Sequence, residues 1–522
     1  MPARARRSPL LRPLFGLASS FAVAACASAA IAAEEASFSL VRADVRLAVD
    51  VDSRRVAGEA TLLIEARERL SAVVVSLNDL LAVTAVDDGG RAAWVVEGPR
   101  QREGRSLSLA LDPPVATGER RALTFAYEGI ALDPGRSEPD WMGVLLVRPD
   151  EIRMSHQAQW MPIVPLDARA RARAAAPTRL ELELPAGMAS LGPGRLVSVE
   201  PAGEGRERHV WEAERPVRAS IVAGAYEVVE ATRGPLAVRV LARPERIAGA
   251  RAWGEEALAM LEVLSERLGG PEAGGYGIAS MTIRNRSNSY NYEADGFSVY
   301  DEVLFDGREP DARKVAHEVA HRWFGGLVDP AGPGERFLTE SLAEVAAWIA
   351  IETRFGAEAA REAVRESVRR YGTPDGAEHA LARTTFGSPR YGSVVYAKGP
   401  VVLWTLRSWV GEERFRSGLR AYVARYGREE TPPSLPDFLD AMRSKAGDVV
   451  DVWAAESVMR PDVPRYAIEL DARKRTARGR LVQEGALFHH PVEIELRLAN
   501  GEAKRITVEP RGRTTKWSTR VE

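Results

Sequence analysis

The stretch HEVAHRWFGGLVDPAGPGERFLTESLAEVAAWIA, His317 to Ala350, decides how the rest of the chain is read. It opens with His317-Glu318-Val319-Ala320-His321, the pattern H-E-x-x-H. On a helix two residues four apart lie one turn apart on the same face, so both imidazoles can reach one metal ion. Zinc suits such a pair, because it accepts imidazole nitrogen and carboxylate oxygen and catalyses when three protein ligands leave a fourth position open. The third ligand then has to come from a neighbouring element. Glu340 stands 19 residues after His321 and opens a second apolar helix containing Leu342, Val345, Ala346 and Ile349. Gly325-Gly326 and the run Asp329 to Gly334 supply the turn that lets the two helices pack side by side. Glu344 is a competing carboxylate, and spacing alone does not separate it from Glu340.

Upstream, Trp253, Ala257, Met260, Leu261, Leu264 and Leu268 recur three or four apart, marking an amphipathic helix closed by Gly269-Gly270. Helical patterns continue to about Ser457. Before Pro244 the period is two: Val45, Leu47, Val49 and Val51 alternate with polar residues. Further runs follow at Ala60–Ile64, Ala72–Leu77, Leu123–Tyr127, Leu180–Leu184 and Leu236–Leu241, separated by Gly- and Pro-rich joints. Beyond Pro461 alternation returns in Tyr466, Ile468 and Leu470 and again in Val492, Ile494 and Leu496. The expected division is a β domain over 36–244, a mainly helical catalytic domain over 245–458 and a small β domain over 461–522.

Residues 1–33 read as an export signal. Arg4, Arg6, Arg7 and Arg12 precede the apolar run Leu14 to Ala25, and acidic Glu34 and Glu35 follow where a stop-transfer cluster would be basic. Cys26, the single cysteine, follows Val23-Ala24-Ala25 as in a bacterial lipobox, so one expectation is cleavage before Cys26 and lipid attachment there. The other is an ordinary cut between Ala27 and Ala33. Either way the expected location is the periplasm or an outer-membrane anchorage, and the mature chain has no internal disulfide. With 71 Lys+Arg against 73 Asp+Glu and a net charge of -2, there is no basic excess for a nucleic-acid partner. Apolar residues at 45% and charged residues at 28% of 522 describe a globular chain long enough for several domains.

H-E-x-x-H, eighteen residues and then Glu, with Trp323-Phe324-Gly325 trailing the second histidine, resembles peptidase family M1, the gluzincin zinc aminopeptidases. The resemblance selects Glu340 over Glu344, and it implies one Zn2+ on His317, His321 and Glu340 with Glu318 as general base. Two more segments carry it. Val395-Tyr396-Ala397-Lys398-Gly399-Pro400 is similar to the family's Tyr-x-Lys-Gly helix, and Tyr396, 79 residues after His317, takes the place of the tyrosine that stabilises the oxyanion. Glu293 to Tyr300 looks like the Gly-x-Met-Glu-Asn strand, in which Glu293 would bind a peptide's free amine. Here Tyr290, Tyr292 and Ala294 replace the family's Gly, Met and Asn, which leaves strict end recognition open. Gln157, in Gln157-Ala158-Gln159-Trp160-Met161-Pro162, resembles a glutamine brought to the substrate's amino end.

The fold implied is multidomain α+β: an antiparallel saddle-like β domain, a thermolysin-like mainly helical catalytic domain and a small β-sandwich. The resemblance is to a short form, and the family's large helical C-terminal domain is not expected. Three functions stand open: a zinc aminopeptidase on peptide substrates, an oligopeptide endopeptidase of the same type, and a non-catalytic binding protein held to the membrane through a lipidated Cys26.

Overall fold

The computed structural model describes residues 38–100, 104–132, 145–164, 175–270, 274–281, 292–293, 296–372, 378–427, 432–473, 475–498 and 501–521. The leader with Cys26, and Tyr290 and Ala294 of the amine-binding segment, lie outside them.

Every apolar run singled out between residues 60 and 241 falls inside a strand. Among the described residues the largest sheet has eight strands, in the order Arg195–Gly203, Arg206–Val217, Ala176–Pro185, Phe38–Asp50, Arg55–Ala66, Arg120–Ile130, Leu81–Asp88, Ala92–Ala93. Alternation along Phe38–Asp50 buries Val45, Leu47 and Val49 on one face, as a half-covered sheet requires. One pairing departs from the antiparallel expectation: Phe38–Asp50 and Ala176–Pro185 run parallel, Val45 opposite Leu180 and Leu47 opposite Leu182. Period-two alternation is the same for both orientations, so it carries no information on strand direction.

The two cores meet across one sheet that spans the expected boundary at 244. Strands Glu227–Arg233 and Leu236–Ala242 belong to a five-stranded mixed sheet with Gly274–Met281, Phe297–Asp301 and the short edge Tyr292–Glu293. Val229, Ala231, Val238 and Val240 pack with Trp253, Ala257 and Leu261 of the helix Ile247–Leu268, whereas Leu241, Ala279, Met281, Phe297 and Val299 of the same sheet belong to the first core. The catalytic half therefore contains a sheet as well as helices. Sequence periodicity places strands but does not assign them to a sheet.

The last segment holds a three-stranded sheet (Tyr466–Arg473, Thr476–Gln483, Thr514–Arg520) and a hairpin (Val492–Arg497, Ala503–Val508) around Leu481, Ile494, Leu496, Val508 and Trp517. Ile468 and Leu470, whose alternation marked this segment as extended, lie in its first strand and are exposed. Among the described residues no helix is long and apolar enough to cross a membrane.

Candidate metal centre and active site

The helix carrying the H-E-x-x-H pattern, Ala312–Ala320, starts at Asp311, whose carboxylate accepts from the backbone N–H of Arg313 (3.2 Å) and Lys314 (3.3 Å). Such a cap satisfies donors that the first turn leaves orphaned. Val315, Ala316, Val319 and Ala320 are fully buried against the second core, which turns the opposite side of the helix toward the cleft. Its neighbour, Leu342–Phe355, is buried almost all round through its first ten residues. Glu340 precedes it on a π-helical turn, Phe337–Ser341. Tyr396 sits on a second π-helical turn, Val394–Lys398. Turns of this kind widen the helix by one residue and re-aim side chains, and they recur at functional sites.

Gly399 lets the two π turns meet. Ser341 Oγ donates to the Val395 carbonyl at 2.6 Å. A Cβ built on Gly399 would stand 2.8 Å from Ser341 Cβ, closer than any real contact. Gly399→Ala is therefore expected to destabilise the chain by about 1–3 kcal/mol, the usual range for overpacking. Thermal unfolding measures it, and a second change, Ser341→Gly, should recover most of the loss. If Gly399→Ala unfolds at the wild-type temperature, the close approach is not what holds the turns.

His317 Nε2 and His321 Nε2 face each other at 3.2 Å, and Glu340 Oε2 lies 3.6 Å and 3.3 Å from them. Among the described residues this is the one cluster whose ligand atoms could hold a metal. Bonds of about 2.0–2.1 Å at tetrahedral angles separate ligand atoms by roughly 3.3 Å, so the triangle has the size zinc requires. Its chemistry fits too. His321 Nδ1 donates to the Phe324 carbonyl at 2.9 Å, which leaves the lone pair on Nε2. His317 Nδ1 is 3.0 Å from Glu344 Oε2, ion-pair distance without hydrogen-bond alignment. That too favours a proton on Nδ1 and a lone pair on Nε2. With His317 neutral, three acceptor atoms converge, an arrangement completed by a cation: a metal ion, or in its absence a proton on His317.

Glu344 is thereby distinguished from Glu340. It lies behind the imidazole, where its Oε1 accepts from Arg313 Nη1 and Trp348 Nε1, each at 3.1 Å. A carboxylate on the far nitrogen fixes the tautomer and orientation of a ligating histidine.

The electrostatics follow from burial among like and unlike charges. Burial alone would lower the His317 imidazole, but Glu340 and Glu344 outweigh it and raise it to about 10. Burial would raise the Glu340 carboxyl, yet His321 and His317 hold it well below the usual range. Glu318, also buried, is pushed up by desolvation and by Glu340 and Glu344, with both histidines opposing. Tyr396 has its ring 6.1 Å from that of His317. Desolvation and the nearby Glu340 push its phenol far up, so it stays a neutral donor. Tyr391, 6.0 Å from Tyr396 ring to ring, is raised to about 12, chiefly by burial. Arg390, which precedes it at φ +55°, is held there by Glu378 at 3.1 Å. The same Glu378 accepts from buried Lys398 at 3.0 Å. Tyr391 and Glu378 were not anticipated, and Glu344 was weighed only as a rival ligand to Glu340, since no spacing rule links residues on different elements.

The remaining expected site residues are less fully placed. The backbone of Glu293 pairs with Ser298 at the sheet edge, on the strand that packs against the H-E-x-x-H helix. Gln157 lies in the first domain on a 3-10 turn, His156–Ala158. The His156 N–H donates to Ser220 Oγ at 2.9 Å, and nearby Arg218 donates to the Gly325 carbonyl, also at 2.9 Å. This ties the turn to the loop just past His321.

Residues 303–457 match the peptidase family M1 domain. Aminopeptidase N of Lactococcus lactis subsp. lactis is 28% identical over 177 residues, covering 31% of this chain and 20% of that protein. The matched stretch thus spans about a fifth of the curated relative's length. Among solved structures, the M1 zinc metallopeptidase from Deinococcus radiodurans superposes with a TM-score of 0.69 at 19% identity, over 82% of this chain and 96% of that one. A mutant of it bound to a Tyr-Ser-Ala substrate gives 0.67 at 20%, with the same coverage. Residues 303–457, which hold the His-His-Glu cluster, thus match the peptidase family M1 domain, within a chain that shares the α+β fold of a solved M1 zinc metallopeptidase.

Proposed function

We propose that the chain is a zinc-dependent metallopeptidase that removes N-terminal residues from peptides. The observation that carries this is the convergence of His317 Nε2, His321 Nε2 and Glu340 Oε2 beside a buried Glu318 and a neutral Tyr396. His317, His321 and Glu340 would hold the ion, which when bound supplies Lewis acidity and makes a water nucleophilic near neutral pH. Glu318 takes the proton of the attacking water and returns it to the departing amine. Its raised carboxyl suits both halves of that transfer, because a base works best with a pKa near the working pH. Tyr396 donates to the carbonyl oxygen as negative charge develops there. Glu293 would anchor the substrate's ammonium group and so set the reading frame, and Gln157 would assist from the first domain.

Aminoacyl fluorophores and free against N-acetylated tripeptides, each with and without a zinc chelator, test the proposal. Chelator-sensitive turnover of free peptides alone supports it. Equal turnover of the acetylated peptides would replace it with the endopeptidase reading, and no turnover with zinc bound would leave a binding protein. Tyr396→Phe is expected to lower kcat by about 10²–10³ with little change in KM, the usual cost of one oxyanion donor. A change confined to KM would give Tyr396 a role in ground-state binding instead.

A further inference from the structure

Arg336 opens the π turn that carries Glu340, and its side chain is one-quarter exposed. A guanidinium has five N–H donors in a rigid fork matched to carboxylate. Among the described residues none of them makes a side-chain hydrogen bond: the nearest acids are Glu335 Oε1 at 3.6 Å from Nε and Glu340 Oε1 at 3.9 Å from Nη1. The group also lies within electrostatic reach of Tyr391 and Tyr396. Two carboxylates balance its charge at ion-pair distance, but neither takes a hydrogen bond from the fork, which leaves its donors available to a further anion. Once a metal neutralises Glu340, that balance weakens. The ligand cannot be the substrate's ammonium end, which a guanidinium repels.

From this geometry we infer that Arg336 is a subsite for a carboxylate of the substrate, beyond the scissile bond from the amino end. The inference rests on the peptidase reading above. Two sources have the required chemistry: the C-terminus of a dipeptide, and an acidic side chain following the cleaved residue. Either makes Arg336 a specificity determinant, favouring short or acidic peptides over neutral ones.

The test uses the zinc-loaded mature chain with leucyl-alanine against leucyl-alaninamide, and leucyl-glutamate amide against leucyl-glutamine amide. For at least one pair the wild type should prefer the charged member by about tenfold in kcat/KM, equivalent to about 1.4 kcal/mol. The preference should reside in KM, collapse towards one in Arg336→Gln and return in part in Arg336→Lys. The pair that discriminates names the source of the carboxylate. Ratios near one for both pairs in the wild type overturn the inference. So does an Arg336→Gln chain that loses charged and neutral substrates by the same factor while releasing zinc more readily, since Arg336 would then merely orient Glu340. Calorimetric binding of the charged and amide ligands to Glu318→Gln protein gives a readout independent of turnover. Tighter binding of the charged ligands there, with no hydrolysis by the wild type, would retain the subsite and discard the peptidase reading.

Discussion

Glu340→Ala should yield a folded protein that no longer retains zinc and hydrolyses aminoacyl reporters no faster than the chelated wild type. The reason is geometric. With Glu340 Oε2 gone, two imidazoles 3.2 Å apart remain, and two neutral ligands bind a divalent ion far more weakly than a set closed by a carboxylate. Loss of an outer partner of a metal ligand costs roughly 10–100-fold in affinity or activity, and loss of the ligand itself should exceed that. The fold should persist, because the metal-free site has its own charge balance: a proton on His317, raised to about 10, lies between Glu340 and Glu344. In the variant Glu344 still supports that proton. The same proton competes with the metal in the wild type, so zinc retention should weaken as pH falls, by about tenfold per unit for each proton displaced. Zinc content after dialysis, read together with reporter turnover, decides the matter. Full zinc content in Glu340→Ala would show that the triangle of donor atoms is not the metal site.

Glu318→Gln separates chemistry from metal binding. Glu318 is not among the three converging donors, and glutamine keeps its shape, so zinc content should be unchanged. Turnover should nevertheless fall by about 10²–10⁴, the contribution of a positioned general acid–base group. The carboxyl is buried and pushed up by desolvation and the neighbouring acids, which keeps it able to give a proton back after taking one. An amide can do neither. A Glu318→Gln protein with wild-type zinc content and wild-type hydrolysis would remove Glu318 from the mechanism. Loss of zinc instead would make it part of the metal site.

How much was legible beforehand depends on the range of the interaction concerned. The pairing of His317 with His321 needs only the 3.6-residue turn, and the alternation of Val45, Leu47 and Val49 needs only the pleat. Both are properties of a dozen consecutive residues, and both appear as expected. The choice between Glu340 and Glu344 is different. They stand one turn apart, so spacing treats them alike. Docking of the helix Leu342–Phe355 on its neighbour sends Glu340 to Nε2 of His317 and Glu344 to Nδ1 of the same ring. The sharing of the five-stranded sheet between two cores belongs to the same class of question, as does the parallel pairing of Phe38–Asp50 with Ala176–Pro185.

By itself the sequence determined the strands of the first half, the helical face that pairs His317 with His321, and a short set of candidate metal and proton carriers, because backbone geometry repeats locally and residue type sets ligand strength. Tertiary structure alone decided which carboxylate meets which nitrogen, and that Arg336 and Tyr391 come to lie beside the metal cluster. Those placements arise where elements distant along the chain pack together, and no local repeat records where they will meet.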